Sequence, residues 1–434
     1  MPARIPGSPH IVVHAPGRTS RHEAAFHWVL TDVLGLTWSW SDVPPQGPEP
    51  EGHRVDLHYG QAGKGVEYPA EGLLSELGQW RRAPVAMAAD GPVDPFAAVF
   101  WMGSRMEEAV KGAARDEHGR FDPRGSEPHN RGWLSRPICE HWAFAVGEKL
   151  LGEDWPRHRK ALLAEYAVVP TLDVDSAYAF VGKGAFRTGG ALVRDVAQGR
   201  LALVGERLKC LLGGARDPYD TYDAALRWHA ERGLSAKWFF LLADFGLHDK
   251  GLPPNSRRLA ALMQRLAAQP GNAVHLHPGY VAAHDERAMA AEQAQFTRIM
   301  GQPPSASRQH YLRGNPLELV PRLVKAGVRE DHTEGHAVMT GFRGGFSRSR
   351  RAYDLASERL TPLEIHPFAG MDATWRKYLA IPPEEVPVEV EKLAEATRAV
   401  GGTLRLLWHN ESLAPRGDWA HWGEVYPAAL DAAL

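Results

Sequence analysis

Five short apolar runs each end in residues able to do chemistry. Val168-Val169-Pro170-Thr171-Leu172 runs into Asp173-Val174-Asp175, and Ala273-Val274 into His275-Leu276-His277-Pro278-Gly279. Ala306-Ser307 runs into Arg308-Gln309-His310, Leu363-Glu364-Ile365 into His366-Pro367, and Leu404 to Trp408 into His409-Asn410. Residues two apart on a strand point to one face. Asp173 and Asp175 can therefore divide labour, one carboxylate binding a metal and the other accepting a proton. His275 and His277 share a face by the same rule, unless the Pro278-Gly279 turn breaks it. Imidazole is a common ligand for zinc and similar divalent ions. Each residue also has a plainer reading: a solvated strand end or helix cap for the aspartates, a rim or core position for the histidines. The recurrence at five strand ends carries the metal-site reading, because the C-terminal strand ends of barrel enzymes form the active-site face.

The elements that must position these residues alternate. Apolar, strand-like runs fall at 167–175, 237–244, 273–277, 306–311, 363–368 and 403–409, with a short seventh at 327–329. Helical patterns fall at 256–268, 285–300, 316–326 and 384–399. This order argues for a parallel sheet or barrel, and apolar strand interiors fit parallel strands covered on both faces. We expect this sheet or barrel over 161–434. Before it, Ile11-Val12-Val13 and Val55–Tyr59 read as strands, His22–Leu34 as a helix and Pro44–Gly52 as a loop. These make residues 1–110 a small α/β domain. Residues 111–160 read as a connecting segment, polar over 113–137 and helical from Trp142 to Leu151.

Composition narrows the function classes. The 434 residues carry 50 basic and 52 acidic side chains, a net charge of -2, so no long-range field pulls the chain to nucleic acid. Arg348, Arg350 and Arg351 read as a solvated basic loop. Cys139 and Cys210 have no CxxC spacing, which excludes a disulfide-stapled architecture. There is no signal-peptide-like apolar stretch and no transmembrane segment, so the expected location is cytoplasmic. No Walker loop, GxGxxG, GxSxG or HExxH occurs. The aromatic, acidic stretch Arg216–Asp223 could line a cleft, or start a helix capped by Asp220 or Thr221. Asp331 could orient Arg308 or make a surface salt bridge. A glycoside hydrolase needs two carboxylates about 5–9.5 Å apart, and no obvious pair offers itself.

Thr171-Leu172-Asp173-Val174-Asp175 resembles the first motif of the polysaccharide deacetylase (NodB-homology) family. The resemblance implies Asp173 as catalytic base and Asp175 as metal ligand. It places His277 as a metal-binding histidine, Arg308 as the arginine of the third motif, and His366, in Leu363-Glu364-Ile365-His366, as the general acid. The chain is similar to a bacterial branch with an extra N-terminal domain, through Ser104–Glu108, Asp217–Tyr222, Ser307–Leu312, Gly341–Gly344 and Trp408–Asn410. An irregular (β/α) barrel of about seven strands is the implied fold. Where the family carries a second histidine, this chain has Val281. His310 is then the preferred third ligand, with His284 and His275 as alternatives. His275, Tyr222, Arg343, Trp408 and His409 are the expected substrate-binding residues. The implied reaction is removal of an N- or O-acetyl group from a carbohydrate or glycoconjugate, with a divalent metal, zinc being the simplest choice. A non-catalytic carbohydrate-binding or envelope polysaccharide assembly protein on the same fold is the alternative.

Overall fold

The computed structural model describes residues 5–42, 53–82, 85–88 and 90–434. The Pro44–Gly52 loop expected from the sequence lies outside them. The chain is mixed α/β and rich in parallel strand pairs. It gathers into two compact units, each assembled from several segments. The first holds Met1–Val168, Leu312–Gly370 and Glu391–Arg405; the second holds Val169–Tyr311, Met371–Val390 and Leu406–Leu434.

The first unit opens with a four-stranded parallel sheet ordered Thr37–Trp40, His10–His14, Arg54–Tyr59, Val66–Tyr68. The helix read from His22 to Leu34 is two pieces, an α-helix over Ser20–Phe26 and a π-helical stretch over His27–Val33. Asp94 caps the helix Pro95–Gly103, accepting from Ala97 N at 3.0 Å and from Tyr59 Oη at 2.6 Å. One carboxylate thus satisfies an orphan helix N–H and ties the helix to the sheet. That helix is buried on every side, as its apolar composition requires. The 113–137 segment is not one open loop: it carries a bridge between Arg115 and Phe121 and short turns at Pro123–Gly125 and Glu127–Asn130.

Later in the same unit, Glu330–Asp331 pairs in parallel with Arg359–Ile365, which pairs antiparallel with Arg350–Asp354. The seventh strand lies here, at 330–331, rather than at 327–329. The basic cluster is a correction to the sequence reading. Arg348 and Arg350 are buried, Arg348 on Glu165 at 2.7 Å and Arg350 on both oxygens of Glu334 at 2.9 Å. Their partners are distant in sequence, so local composition misread them as solvated.

The second unit is built on a parallel run ordered Ala306–Ser307, Ala273–His277, Lys237–Leu241, Ala167–Val174. The helices Arg257–Ala267 and Glu286–Met300 fall between these strands in sequence. Leu406 follows beside Ala167–Val174, its carbonyl accepting from Thr171 Oγ1 at 2.8 Å. The strand read over 306–311 stops at Ser307. A 3-10 turn takes over at His310–Leu312, where Tyr311 and Leu312 adopt φ of 59° and 56°. Left-handed backbone cannot continue a strand and is costly for a side chain with a Cβ. Cys139 and Cys210 are both buried free thiols. Among the described residues, no helix is long and apolar enough to cross a membrane.

Candidate metal centre and active site

Asp175, His277 and His310 converge in the second unit, each offering a ligand atom within 4.8 Å of the others. Asp175 stands one residue past the end of the Ala167–Val174 strand, His277 ends the next strand but one, and His310 sits in the turn after Ala306–Ser307. His277 Nε2 is 3.3 Å from Asp175 Oδ1, and His310 Nε2 is 3.3 Å from Asp175 Oδ2.

The backs of the rings decide what their fronts can do. His277 Nδ1 donates to the Arg308 carbonyl at 2.6 Å, which leaves Nε2 as the ring atom turned toward Asp175. His277 Nε2 and Asp175 Oδ1 are both buried and, at 3.3 Å, close no short hydrogen bond to one another. Donors about 2.0–2.1 Å from a tetrahedral ion stand about 3.3–3.5 Å apart, and these distances match. The residues therefore fit a divalent cation. His310 Nδ1 is fixed by Asp249 Oδ1 at 2.7 Å, the orienting contact metal-binding histidines commonly have.

Asp173 lies beside this group and is itself buried. Arg308 donates from Nη1 to Asp173 Oδ1 at 2.7 Å and from Nη2 to Thr171 Oγ1 at 2.9 Å, with its guanidinium over the Phe239 ring. Asp173 Oδ2 is 3.7 Å from His277 Nε2. One carboxylate oxygen is thus tied down and the other faces the cluster. His409 approaches from another side, its Nε2 3.9 Å from Asp175 Oδ2 and its Nδ1 on Asp372 Oδ1 at 2.8 Å. Asp372 also accepts the His409 backbone N–H.

The charges follow from this packing. Burial alone would raise the Asp175 carboxyl, but the neighbouring His310 holds it well below the usual carboxylate range. Burial works against a charge on His310, yet Asp175 and Asp249 raise it to about 9. His409 is likewise disfavoured by burial but pushed up to about 10 by Asp372. Without a metal, protons on these rings balance the carboxylates.

The other expected site residues have surroundings of their own. Tyr222 is fully enclosed, donating to the Ala177 carbonyl at 2.8 Å. Trp408 is fully enclosed too, 5.0 Å from the Tyr426 ring. Neither presents a surface to a ligand, and both are corrections to the substrate-binding assignment. Thr221 takes the N-cap position of Tyr222–Glu231 but does not cap it; its hydroxyl donates to Asn410 O. Arg343 belongs to the first unit, buried and bidentate on Glu108 at 2.8 and 2.6 Å, so its fork is already occupied. His366 also belongs to the first unit, near Ser349, Glu330 and Glu364. Asp331 there accepts from Thr333. His275 packs on Phe239 at 5.3 Å, and His284 is exposed, as is Val281.

Comparison with known proteins adds a family match over part of the chain. Residues 11–156 match the model of a family of unknown function, DUF7033. No curated protein matches the chain. Two solved structures are similar at low identity. One is a Mycobacterium smegmatis chain assigned as a polysaccharide deacetylase, 16% identical, with a TM-score of 0.37 over 62% of this chain and 85% of that one. The other is a polysaccharide deacetylase from Bacillus cereus, 15% identical, with a TM-score of 0.26 over 62% and 84%.

Sequence reasoning missed Asp249 and Asp372, the carboxylates behind His310 and His409. Asp249 lies in a loop and carries no signal tying it to residue 310. Asp372 follows the short strand Gly370–Met371, the same strand-end position that marked the other candidates.

Proposed function

We propose that this chain is a metal-dependent hydrolase that removes an acetyl group from a carbohydrate or glycoconjugate. The observation that carries the reading is the Asp175–His277–His310 cluster with Asp173 pinned beside it by Arg308. Asp175, His277 and His310 would hold the divalent cation, zinc being the simplest choice for two imidazoles and a carboxylate. When bound, the cation supplies Lewis acidity and makes water a stronger acid and nucleophile near neutral pH.

The chain's own residues account for the proton movements. With Oδ1 occupied by Arg308, Asp173 Oδ2 accepts a proton from the attacking water. The water oxygen bonds to the acyl carbon, and the C–N or C–O bond breaks. We assign the acid to His409 rather than His366. Its Nε2 faces the cluster, and Asp372 keeps the ring charged and oriented. His409 Nε2 gives its proton to the departing amine or alcohol, leaving acetate and the free sugar group. Closure of the strands into an irregular (β/α) barrel over 161–434 belongs to the same proposal.

Val281 favours a second reading, a carbohydrate-binding protein without catalysis. It occupies the position at which the resembled family carries a further histidine, and it is 59% exposed. The test is metal content by elemental analysis together with acetate release from a panel of acetylated oligosaccharides. Wild type should hold one more equivalent of zinc than Asp175→Ala or His277→Ala, and both variants should release no acetate. Unchanged metal content in both variants would overturn the hydrolase reading. Metal binding without acetate release from any member of the panel would favour the binding protein.

A further inference from the structure

The first unit repeats one short pattern on two strands, Glu330-Asp331-His332 and Glu364-Ile365-His366. The strands are parallel, with Glu330 opposite Glu364 and Asp331 opposite Ile365. One step further along each chain, His332 comes beside His366, their rings stacked 4.5 Å apart and 14° from parallel. Alternate residues of a strand share a face, so two glutamates and two histidines form one patch. His332 Nε2 is 3.3 Å from Glu330 Oε2. His366 Nε2 is 3.6 Å from the same oxygen and 3.5 Å from Glu364 Oε2.

We propose that Glu330, His332 and His366 form a second binding site for a divalent transition metal of the zinc class, with Glu364 beside it as a further carboxylate. The spacing is the first argument. A charged histidine–carboxylate hydrogen bond closes to about 2.7–2.9 Å. Among the described residues, His14 meets Asp56 at 2.7 Å, His310 meets Asp249 at 2.7 Å and His409 meets Asp372 at 2.8 Å, while His27 and Asp32 stand 3.4 Å apart. None of the three contacts in this patch closes that far. They fall instead near the edge of a tetrahedron around zinc, about 3.3–3.5 Å.

The second argument is charge. Like charges directly opposite across paired strands destabilise the pairing, and Glu330 faces Glu364, which on its other side stands opposite Arg351. A divalent cation on the Glu330 side offsets the carboxylate that Arg351 does not face. The donor set, two imidazoles and a carboxylate, suits zinc and its neighbours rather than calcium or magnesium. His366 Nδ1 lies 2.8 Å from Ser349 Oγ, and Arg405 donates to the same hydroxyl at 2.8 Å. This contact sets the ring so that Nε2 faces the glutamates. His332 is fully buried while the Glu330 and Glu364 side chains are 30% and 45% exposed, so the patch has a rigid floor and an open side. The role that follows is a strut joining two strands, which does not depend on the proposed hydrolase.

The test uses the full chain, stripped with a chelator and dialysed against zinc, with metal per chain counted by elemental analysis. Asp175→Ala should retain one equivalent, and Asp175→Ala combined with Glu330→Gln should retain none. Zinc should raise the melting temperature of Asp175→Ala and leave that of the combined variant unmoved. Glu330→Gln keeps the side-chain volume, and His366→Ala in the same background serves as an independent check. An Asp175→Ala chain that binds no zinc overturns the second site. A chain that loses its metal in Glu330→Gln and not in Asp175→Ala keeps the second site and overturns the hydrolase centre instead.

Discussion

The Asp175–His277–His310 and Glu330–His332–His366 clusters draw on the same donor types and differ in what stands around them. In the first, each ring is held from behind by an oxygen acceptor, the Arg308 carbonyl or Asp249. A further carboxylate, Asp173, is present with one oxygen immobilised and the other facing the cluster. In the second, the extra carboxylate is Glu364, part-exposed and close to His366 itself. A metal with a fixed base beside it can turn over a substrate, whereas a metal with only ligands around it can brace the fold. The difference lies in neighbours about one side chain away from the donors.

The largest expected effect tests that distinction directly. Asp173→Asn keeps the shape and removes the base. Acetate release should fall by about 10²–10⁴-fold, the usual contribution of a positioned base, with metal content unchanged. Glu330→Gln should lower metal content by one equivalent and leave acetate release within about twofold. Equal losses of activity in the two variants would erase the comparison. Next in size is Arg308→Ala, which leaves the buried Asp173 carboxylate without its partner. Breaking one side of a buried pair costs about 3–5 kcal/mol. The urea midpoint should drop accordingly, and Asp173→Asn combined with Arg308→Ala should recover part of the loss.

Most of the second unit's strand framework was legible, because parallel strands covered on both faces are continuously apolar and end abruptly in polar residues. Asp173, Asp175 and His277 stood out in the sequence for that reason. What could not be read was which strand ends meet. Leu363–His366 and Leu406–His409 both end an apolar strand in histidine, and only the fold shows that Leu406 lies against Thr171. The turn at His310–Leu312 was read as strand because Tyr311 and Leu312 give no glycine signal for their positive φ. Tyr222 and Trp408 were read as binding residues because type alone does not report burial. Arg348 and Arg350 were misread because their acidic partners come from other parts of the chain.

Smaller effects sharpen the picture of the first cluster. Asp249→Asn keeps an acceptor for His310 Nδ1 but removes its charge. Loss of such an outer partner usually costs about 10–100-fold in metal affinity, and zinc competition with a chromophoric chelator would measure it. The same variant should leave the Glu330–His332–His366 site untouched, so only one of two binding phases should weaken.

The smallest step is per unit of pH, and its sign is fixed by His310. In the metal-free chain Asp175 and Asp249 raise this ring to about 9, above the ordinary histidine value, despite its burial. Below about 9 a metal must displace that proton, so affinity should rise about tenfold per pH unit from 6.5 toward 9 and then level off. The folding contribution of the same group runs the other way. A raised folded-state value stabilises the metal-free chain fully below the unfolded value near 6.5, and that stabilisation is lost as pH rises through about 9. Heating the chelator-treated protein across this range should show its melting temperature falling while zinc affinity climbs. Opposite slopes in the two measurements would identify the same ring as proton site and metal ligand; parallel slopes would remove His310 from the cluster's donors.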